Sequence, residues 1–275
     1  MPLLDRRAAL DWIARWDIQQ LGYLPDREER FTALIDAVEE GTQIPDPLVL
    51  DLGCGPGSLG VRLLDRLPGA TVIGVDADPL LLTLGRIAWP GRAGLRFAET
   101  DLRTAGWSAA LGLDQKADAA VSTTALHWLP GSALAAMYAE LGTVLRPGGL
   151  LLNGDHFRED DTAPTLARLG RALIEREESR RFPGGHQETW SDWWDAVTAE
   201  PALVEQAAAR ASLMIDNEHH GSPSGRLSTH VDALRAAGFA EIGTIWQRGE
   251  NRLLCAVMGG RPASARQASR RSSSR

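Results

Sequence analysis

The sequence predicts an α/β fold built on a mostly parallel sheet of seven strands, with an antiparallel last strand and flanking helices. Three observations carry this reading. From Leu48 onward, short apolar runs alternate with stretches of helical period, the pattern of βα units around a parallel sheet. A glycine series, Gly53-Cys54-Gly55-Pro56-Gly57, joins the first apolar run to its helix. The last two β-rich runs are joined by only a short turn, whereas a parallel connection needs a dozen residues or more.

Each element has its own signal. Leu10, Ile13 and Ala14, with Trp16 beside them, predict a helix from Leu3 to Gln20, and Phe31, Leu34, Ile35 and Val38 predict a second from Asp26 to Glu40. Pro45 and Pro47 break the chain before Leu48–Leu52, whose unbroken apolar character fits a strand buried on both faces. A helix from Ser58 to Leu67 stops at Pro68-Gly69. It is followed by a strand Thr71–Val75, a helix opening at Pro79, a strand Leu95–Ala98 and a strand Ala117–Ser122. Ser132 is a candidate cap for a helix from Ala133 to Leu145, which Arg146-Pro147-Gly148-Gly149 would end before a strand Leu150–Asn153.

After His156 the strand pattern lapses. An acidic loop, Glu159-Asp160-Asp161, leads into an amphipathic stretch from Leu166 to Arg180, an aromatic segment Trp190–Trp194 and an Ala-rich helix from Ala202 to Met214. A strand-free insertion of this size most simply forms a helical cap over one sheet edge. The α/β pattern resumes with a helix Leu227–Ala237, then β-rich runs Ile242–Trp246 and Leu253–Met258. The expected organisation is N-terminal helices over 1–44, a sheet domain over 45–157 and 224–260, an inserted cap over 158–223, and a disordered basic tail over 261–275.

Composition excludes several classes. With 44% hydrophobic and 24% charged residues, the chain is neither disordered throughout nor fibrous. The formal charge of −7 divides unevenly. Residues 261–275 hold five arginines and no acid, so the first 260 carry 24 basic against 36 acidic residues, or −12. An acidic body disfavours phosphate-backbone binding, and no nucleic acid partner is expected. Lys116 is the only lysine. Cys54 and Cys255 form no Cys-x-x-Cys pair, and no apolar run reaches the ~18 residues of a membrane span, so a cytoplasmic protein without a membrane partner is expected. His219-His220 with Asp216 and Glu218 fits no zinc spacing, and no metal is expected.

The strongest signal is Val49-Leu50-Asp51-Leu52-Gly53-Cys54-Gly55-Pro56-Gly57-Ser58, between the first strand and its helix. Alternate glycines allow close backbone approach to a ligand, and the helix behind presents free N–H groups. Gly55-x-Gly57-x-x-Gly60 also satisfies the dinucleotide fingerprint, with Asp76 about 20 residues on. Asp51 argues the other way, because a carboxylate at the head of the loop suits an ammonium group and would repel a pyrophosphate. A second acid, Asp101, follows the third strand, and Val144-Leu145-Arg146-Pro147-Gly148-Gly149 precedes the fifth.

Together these residues resemble the class I S-adenosylmethionine-dependent methyltransferases, and the resemblance implies their Rossmann-like sheet. It implies S-adenosylmethionine as cofactor, with its methionine part on Asp51, Gly53, Cys54, Gly55 and Gly57, its ribose on Asp76 and its adenine near Asp101. Ala77, Leu102 and Thr123, beside these positions at strand ends, join the expected cofactor set. Asp51 and Asp76 would also serve as turn or helix-capping residues. Ala125-Leu126-His127-Trp128-Leu129 is similar to the segment found in the small-molecule group of trans-aconitate methyltransferase type, where it borders cofactor and acceptor.

Ligands of open parallel sheets lie beyond the carboxyl ends of the strands, which directs attention to His127 and to Asp155-His156-Phe157. His127 and His156 are the candidate catalytic bases for an acceptor that must lose a proton, and either would equally serve as a packed, hydrogen-bonded residue behind the site. Tyr23 and Arg30, or Arg27, could fold over the cofactor and meet its carboxylate. Trp16 and Trp128 are the candidate acceptor-pocket residues. Trp190, Trp193 and Trp194 fit either an apolar or aromatic acceptor or an anchor for the cap. The expected activity is methyl transfer to a small molecule, at oxygen in preference to nitrogen or carbon. An NAD(P)-dependent oxidoreductase and a non-catalytic S-adenosylmethionine-binding protein are the alternatives.

Overall fold

The structure, a computed structural model, describes residues 3–24, 26–158, 163–185, 188–213 and 225–260. Seven strands form one sheet in the order β3-β2-β1-β4-β5-β7-β6. They are β1 Leu48–Leu52, β2 Thr71–Asp76, β3 Leu95–Glu99, β4 Ala117–Thr123, β5 Leu145–His156, β6 Phe239–Arg248 and β7 Asn251–Met258. The first five pair in parallel, and β7 runs antiparallel to both β5 and β6. The order reverses between β1 and β4, which opens a crevice at their carboxyl ends.

Every residue of β1 is buried because helices cover both faces of the sheet. On one face Leu50 and Leu52 pack with Leu134, Met137, Tyr138 and Leu141 of α5 (Gly131–Val144) and Leu234 of α9 (Leu227–Ala236). On the other, Val49 meets Phe31, Leu34 and Val38 of α2 (Arg27–Thr42) and Leu59 and Leu63 of α3 (Ser58–Arg66). A third cluster joins α1 (Arg6–Tyr23) to α4 (Pro79–Ala88) through Ala9, Ile13, Leu80, Leu81 and Leu84. Asp5 caps α1 by accepting from the Ala8 amide, and Asp78 caps α4 by accepting from those of Leu80 and Leu81.

Between β5 and α9 the described residues form the helices α6 (Pro164–Arg181), α7 (Trp190–Thr198) and α8 (Val204–Ser212), and no strand beyond a single bridge between Arg158 and Arg226. Trp193, Val197 and Leu203 insert into the cluster shared by α1 and α4. By contrast, α6 buries no residue. A capping box between Thr189 and Asp192 starts α7.

Two local expectations change. Helix α5 starts at Gly131 behind Pro130, and Ser132 lies in its first turn without acting as the cap. Strand β5 begins at Leu145 rather than Leu150, because Leu145 already pairs with Ala117 and residues 146–149 form a bulge between Ala117 and Ala119 of the partner strand. Gly148 supplies the positive φ of +76° that this bulge needs.

The two cysteines are free thiols. Among the described residues no helix is long and apolar enough to cross a membrane, and no cluster of three or more His, Cys, Asp and Glu could hold a metal. Residues 159–161, the His219-His220 pair and the tail over 261–275 lie outside the described residues.

Candidate active site

The loop after β1 turns through three left-handed glycines, Gly53 (φ +71°), Gly55 (φ +54°) and Gly57 (φ +89°). Their surroundings differ. A Cβ on Gly53 would lie 2.2 Å from that of Ala125, and one on Gly57 would lie 2.8 Å from Cζ of Phe97. These two glycines are required by packing. At Gly55, which is buried, a Cβ would meet only ordinary contacts, with Leu81 and Trp16 at 3.8 Å, so its backbone is covered by the Trp16 ring without being packed as tightly as the other two.

Two carboxylates bracket the loop. Asp76 ends β2, where its Oδ2 accepts from the Gly55 amide at 2.7 Å and its Oδ1 from the Asp78 amide at 2.9 Å. Burial pushes Asp76 up to about 6, and these amides hold it below what burial alone would give. Asp51 is 1% exposed in β1, and neither of its oxygens has a hydrogen-bond partner. Burial, then the nearby Asp76 charge, raises it to about 7. The Gly60 amide offsets part of that shift without a bond of normal geometry. An unpartnered buried carboxylate costs free energy unless a cation or donor meets it. Asp51 at the head of the glycine loop therefore fits a cofactor that carries an ammonium group.

The remaining expected cofactor residues divide. Asp101 lies after β3 with both oxygens on the Arg103 guanidinium at 2.8–3.0 Å, and its Oδ1 also accepts from the Arg103 amide. Burial would raise this carboxyl, but Arg103 outweighs it and holds the group below its ordinary value. Leu102 is buried in the core under the sheet, while Ala77 is half-buried between Asp76 and Asp78. Arg30 is fully enclosed, donating to Oδ1 of Asn251 at 2.7 Å and to Oγ1 of Thr123. It thereby ties α2 to the carboxyl end of β4 and to the start of β7. Burial lowers its guanidinium to about 10, with Asp155 acting in the opposite direction.

Alternation along β5 places the two candidate bases on opposite faces. Leu151 joins one core and Leu150 and Leu152 the other, so Asp155 follows Leu151 and His156 follows Leu152. His127, in the short turn Leu126–Trp128 after β4, meets Asp155 through Nδ1 at 2.9 Å and 3.1 Å from the two oxygens. Burial opposes the charged imidazole, but Asp155 outweighs it, and His127 titrates above the ordinary histidine value. Asp155 is likewise held down to about 2, against its burial, chiefly by His127. His156 faces a cavity of about 430 Å³ together with Tyr23, Asp26, Ile174, Arg248 and Asn251. Burial lowers it to about 4, so it is neutral at physiological pH.

The aromatic residues form a wall between the loop and His127. Trp16 of α1 stands over Gly55 and packs on Trp190 of α7, with centroids 5.3 Å apart. Trp190 lies nearly parallel to Trp128 at 6.3 Å and 21°, and Trp128 lies 5.2 Å from the His127 ring. The Trp190 amide donates to the Tyr23 hydroxyl. Sequence reasoning missed Asp155 as the partner of His127. An acid at the carboxyl end of a strand adjacent to β4 was the available signal.

A methyltransferase domain family matches residues 49–149, the segment that contains the loop, Asp76, Asp101 and His127. The chain is similar to trans-aconitate 2-methyltransferase of Streptomyces coelicolor, 36% identical over 140 residues, covering 50% of this chain and 43% of that protein. It is also similar to the protein of that name from Methylobacterium radiotolerans, 36% identical over 190 residues, covering 69% and 60% respectively. The chain spans about half the length of the curated relatives it matches. Among solved structures, an O-methyltransferase family protein from Burkholderia thailandensis shares the fold, with a TM-score of 0.52 and 19% identity over 83% of this chain and 56% of that one. Sheet order, glycine loop and family match agree over this segment: residues 49–149 resemble a methyltransferase domain, set in a sheet of the same fold as the solved O-methyltransferase family protein.

Proposed function

We propose that this protein transfers the methyl group of S-adenosylmethionine to a small-molecule acceptor, at oxygen in preference to nitrogen or carbon. The observation that carries the reading is Asp51, a buried carboxylate without a hydrogen-bond partner at the head of a glycine loop whose Gly55 lies under the Trp16 ring. An ammonium group there would supply the missing partner and draw Asp51 into its charged form, whereas a pyrophosphate would be repelled.

Asp51 and the backbone of Gly53, Cys54 and Gly55 would hold the methionine end, and Asp76 with Ala77 the ribose. Asp101 could reach the adenine while keeping its contact with Arg103, with Leu102 beneath. Thr123 would flank the cofactor at the end of β4, held in place by Arg30. When bound, the cofactor supplies a methyl group on a positive sulfur and leaves as the neutral thioether S-adenosylhomocysteine. The chain's own residues then align the acceptor, exclude water and take a proton.

His127 is the base in this reading. Asp155 fixes the orientation of the imidazole and raises its proton affinity, which an oxygen acceptor needs as it loses its proton. His156, on the opposite face and neutral, would have a binding role. We read α6, α7 and α8 as a lid over the site, with α7 and α8 fixed by Trp193, Val197 and Leu203, and α6 more loosely held.

The test is calorimetric titration with S-adenosylhomocysteine and with NAD, followed by mass spectrometry of products formed from labelled S-adenosylmethionine. Binding of the first ligand and not the second supports the reading, and binding of NAD alone overturns it. Cofactor binding without product from any acceptor would favour a non-catalytic role.

A further inference from the structure

The tryptophans around the site differ in exposure. Trp193 is fully buried, and its indole N–H donates to the Trp12 carbonyl at 3.3 Å, so it anchors α7 on α1. Trp194 lies under the Arg210 guanidinium at 3.6 Å, and Arg210 pairs with Asp78 at 2.8 Å, which anchors α8 on α4. Trp16, Trp128 and Trp190 come from three separate elements, and each is only half-buried. They run without interruption from Gly55, at the cofactor loop, to the ring of His127. Trp16 packs on Trp193 at 4.8 Å and Trp190 on Trp194 at 5.6 Å, so both share in the anchoring while each keeps part of its ring exposed. Three partly open indoles between a methyl donor and a base form a surface for a planar ring, with Trp128 and Trp190 within 21° of parallel.

Among the described residues, several arginines of the surrounding elements are already engaged. Arg15 pairs with Glu188, Arg210 with Asp78, Arg27 with Asp17, and Arg30 holds Thr123 and Asn251. An acceptor with several carboxylates needs charged partners to offset its desolvation, and these arginines would have to break existing pairs to serve.

We propose that the acceptor is a planar aromatic molecule bearing a hydroxyl, held among Trp16, Trp128 and Trp190 with its oxygen directed at His127. This rests on the methyltransferase reading above. In the reaction the hydroxyl oxygen forms a bond to the methyl carbon as the sulfur–methyl bond breaks. The electron pair of that bond stays on sulfur, and the hydroxyl proton passes to the His127 imidazole.

The experiment uses the full chain with labelled S-adenosylmethionine and five probes: 4-methylphenol, 2-naphthol, 5-hydroxyindole, cyclohexanol and trans-aconitate. S-adenosylhomocysteine binding is measured first, which tests the underlying reading separately. Methylated product is expected from at least one of the three phenolic probes and from neither cyclohexanol nor trans-aconitate. Trp190→Leu should raise KM for that probe by about tenfold with kcat changed less than threefold, and Trp190→Phe should restore KM. Transfer to trans-aconitate or cyclohexanol but to no phenol overturns the proposal, as does an unchanged KM in a folded Trp190→Leu protein. S-adenosylhomocysteine binding with no transfer to any phenol overturns the aromatic assignment alone. Absence of S-adenosylhomocysteine binding overturns the methyltransferase reading and this proposal with it.

Discussion

Asp155 at the end of β5 holds Nδ1 of His127 at 2.9 Å, joining two strand ends that are adjacent in the sheet and 28 residues apart in the chain. This contact separates His127 from His156, which is next to Asp155 in sequence but faces the cavity on the other side of the strand. The account predicts that the imidazoles titrate far apart. In a histidine NMR titration of the free protein, His127 should lose its proton above the ordinary value of ~6.5 and His156 near pH 4. Asp155→Asn should move the His127 midpoint down. An unmoved midpoint would show that the carboxylate does not govern this base.

Catalysis follows the same sign. A base must be neutral to accept a proton, so the acid limb of kcat should lie at the raised His127 value and shift to lower pH in Asp155→Asn. General base assistance contributes about 10²–10⁴. His127→Ala should therefore lower kcat by at least a hundredfold with S-adenosylhomocysteine affinity intact, whereas His156→Gln should leave the acid limb in place. A His127→Ala enzyme with wild-type kcat would remove His127 from the mechanism.

Asp51 should reveal itself through stability. Its folded pKa of about 7 lies above the ordinary aspartate value of 3.8, so the buried group destabilises the free protein above pH 7, and that penalty disappears as pH falls toward 3.8. Asp51→Asn should stabilise the free protein at pH 8 by on the order of 2–4 kcal/mol and make little difference at pH 4. The same change should weaken S-adenosylhomocysteine binding. Denaturant unfolding at the two pH values measures the first effect and calorimetry the second. Loss of stability at pH 8 would mean that Asp51 has a favourable partner in the free protein.

The glycines of the loop separate packing from ligand approach. Gly57→Ala puts a methyl group 2.8 Å from Phe97 at a φ of +89°, and should cost about 2–4 kcal/mol of stability. Gly55→Ala meets no atom closer than 3.8 Å and should cost only about 1 kcal/mol for its left-handed backbone. Its larger effect should fall on cofactor affinity. Equal losses of stability in the two variants would contradict the looser packing at Gly55.

Local chemistry made much of the fold legible. The unbroken apolar run of β1, the glycines behind it and the close spacing of β6 and β7 each imposed one geometry. Residues 146–149 read as a turn because Pro147 and two glycines break helices and strands alike. Their place in β5 depends on Leu145 meeting Ala117, which is a matter of neighbours rather than of local sequence. The site divides similarly. His127 and the loop acids stand at strand ends and could be found there. The link from Asp155 to His127 requires knowing which face of β5 each residue takes. Likewise, the enclosure of Arg30 against Asn251 joins residues 221 positions apart.

The most direct test of the methyltransferase reading is calorimetric titration of the purified chain and its Asp76→Ala variant with S-adenosylhomocysteine and with NAD. Asp76 shapes the loop through the Gly55 amide and is assigned to the ribose, and a charge-assisted hydrogen bond contributes about 1.5–3 kcal/mol. The account predicts saturable S-adenosylhomocysteine binding to the wild type, weakened about tenfold or more by Asp76→Ala, and no NAD binding. NAD binding without S-adenosylhomocysteine binding would contradict it.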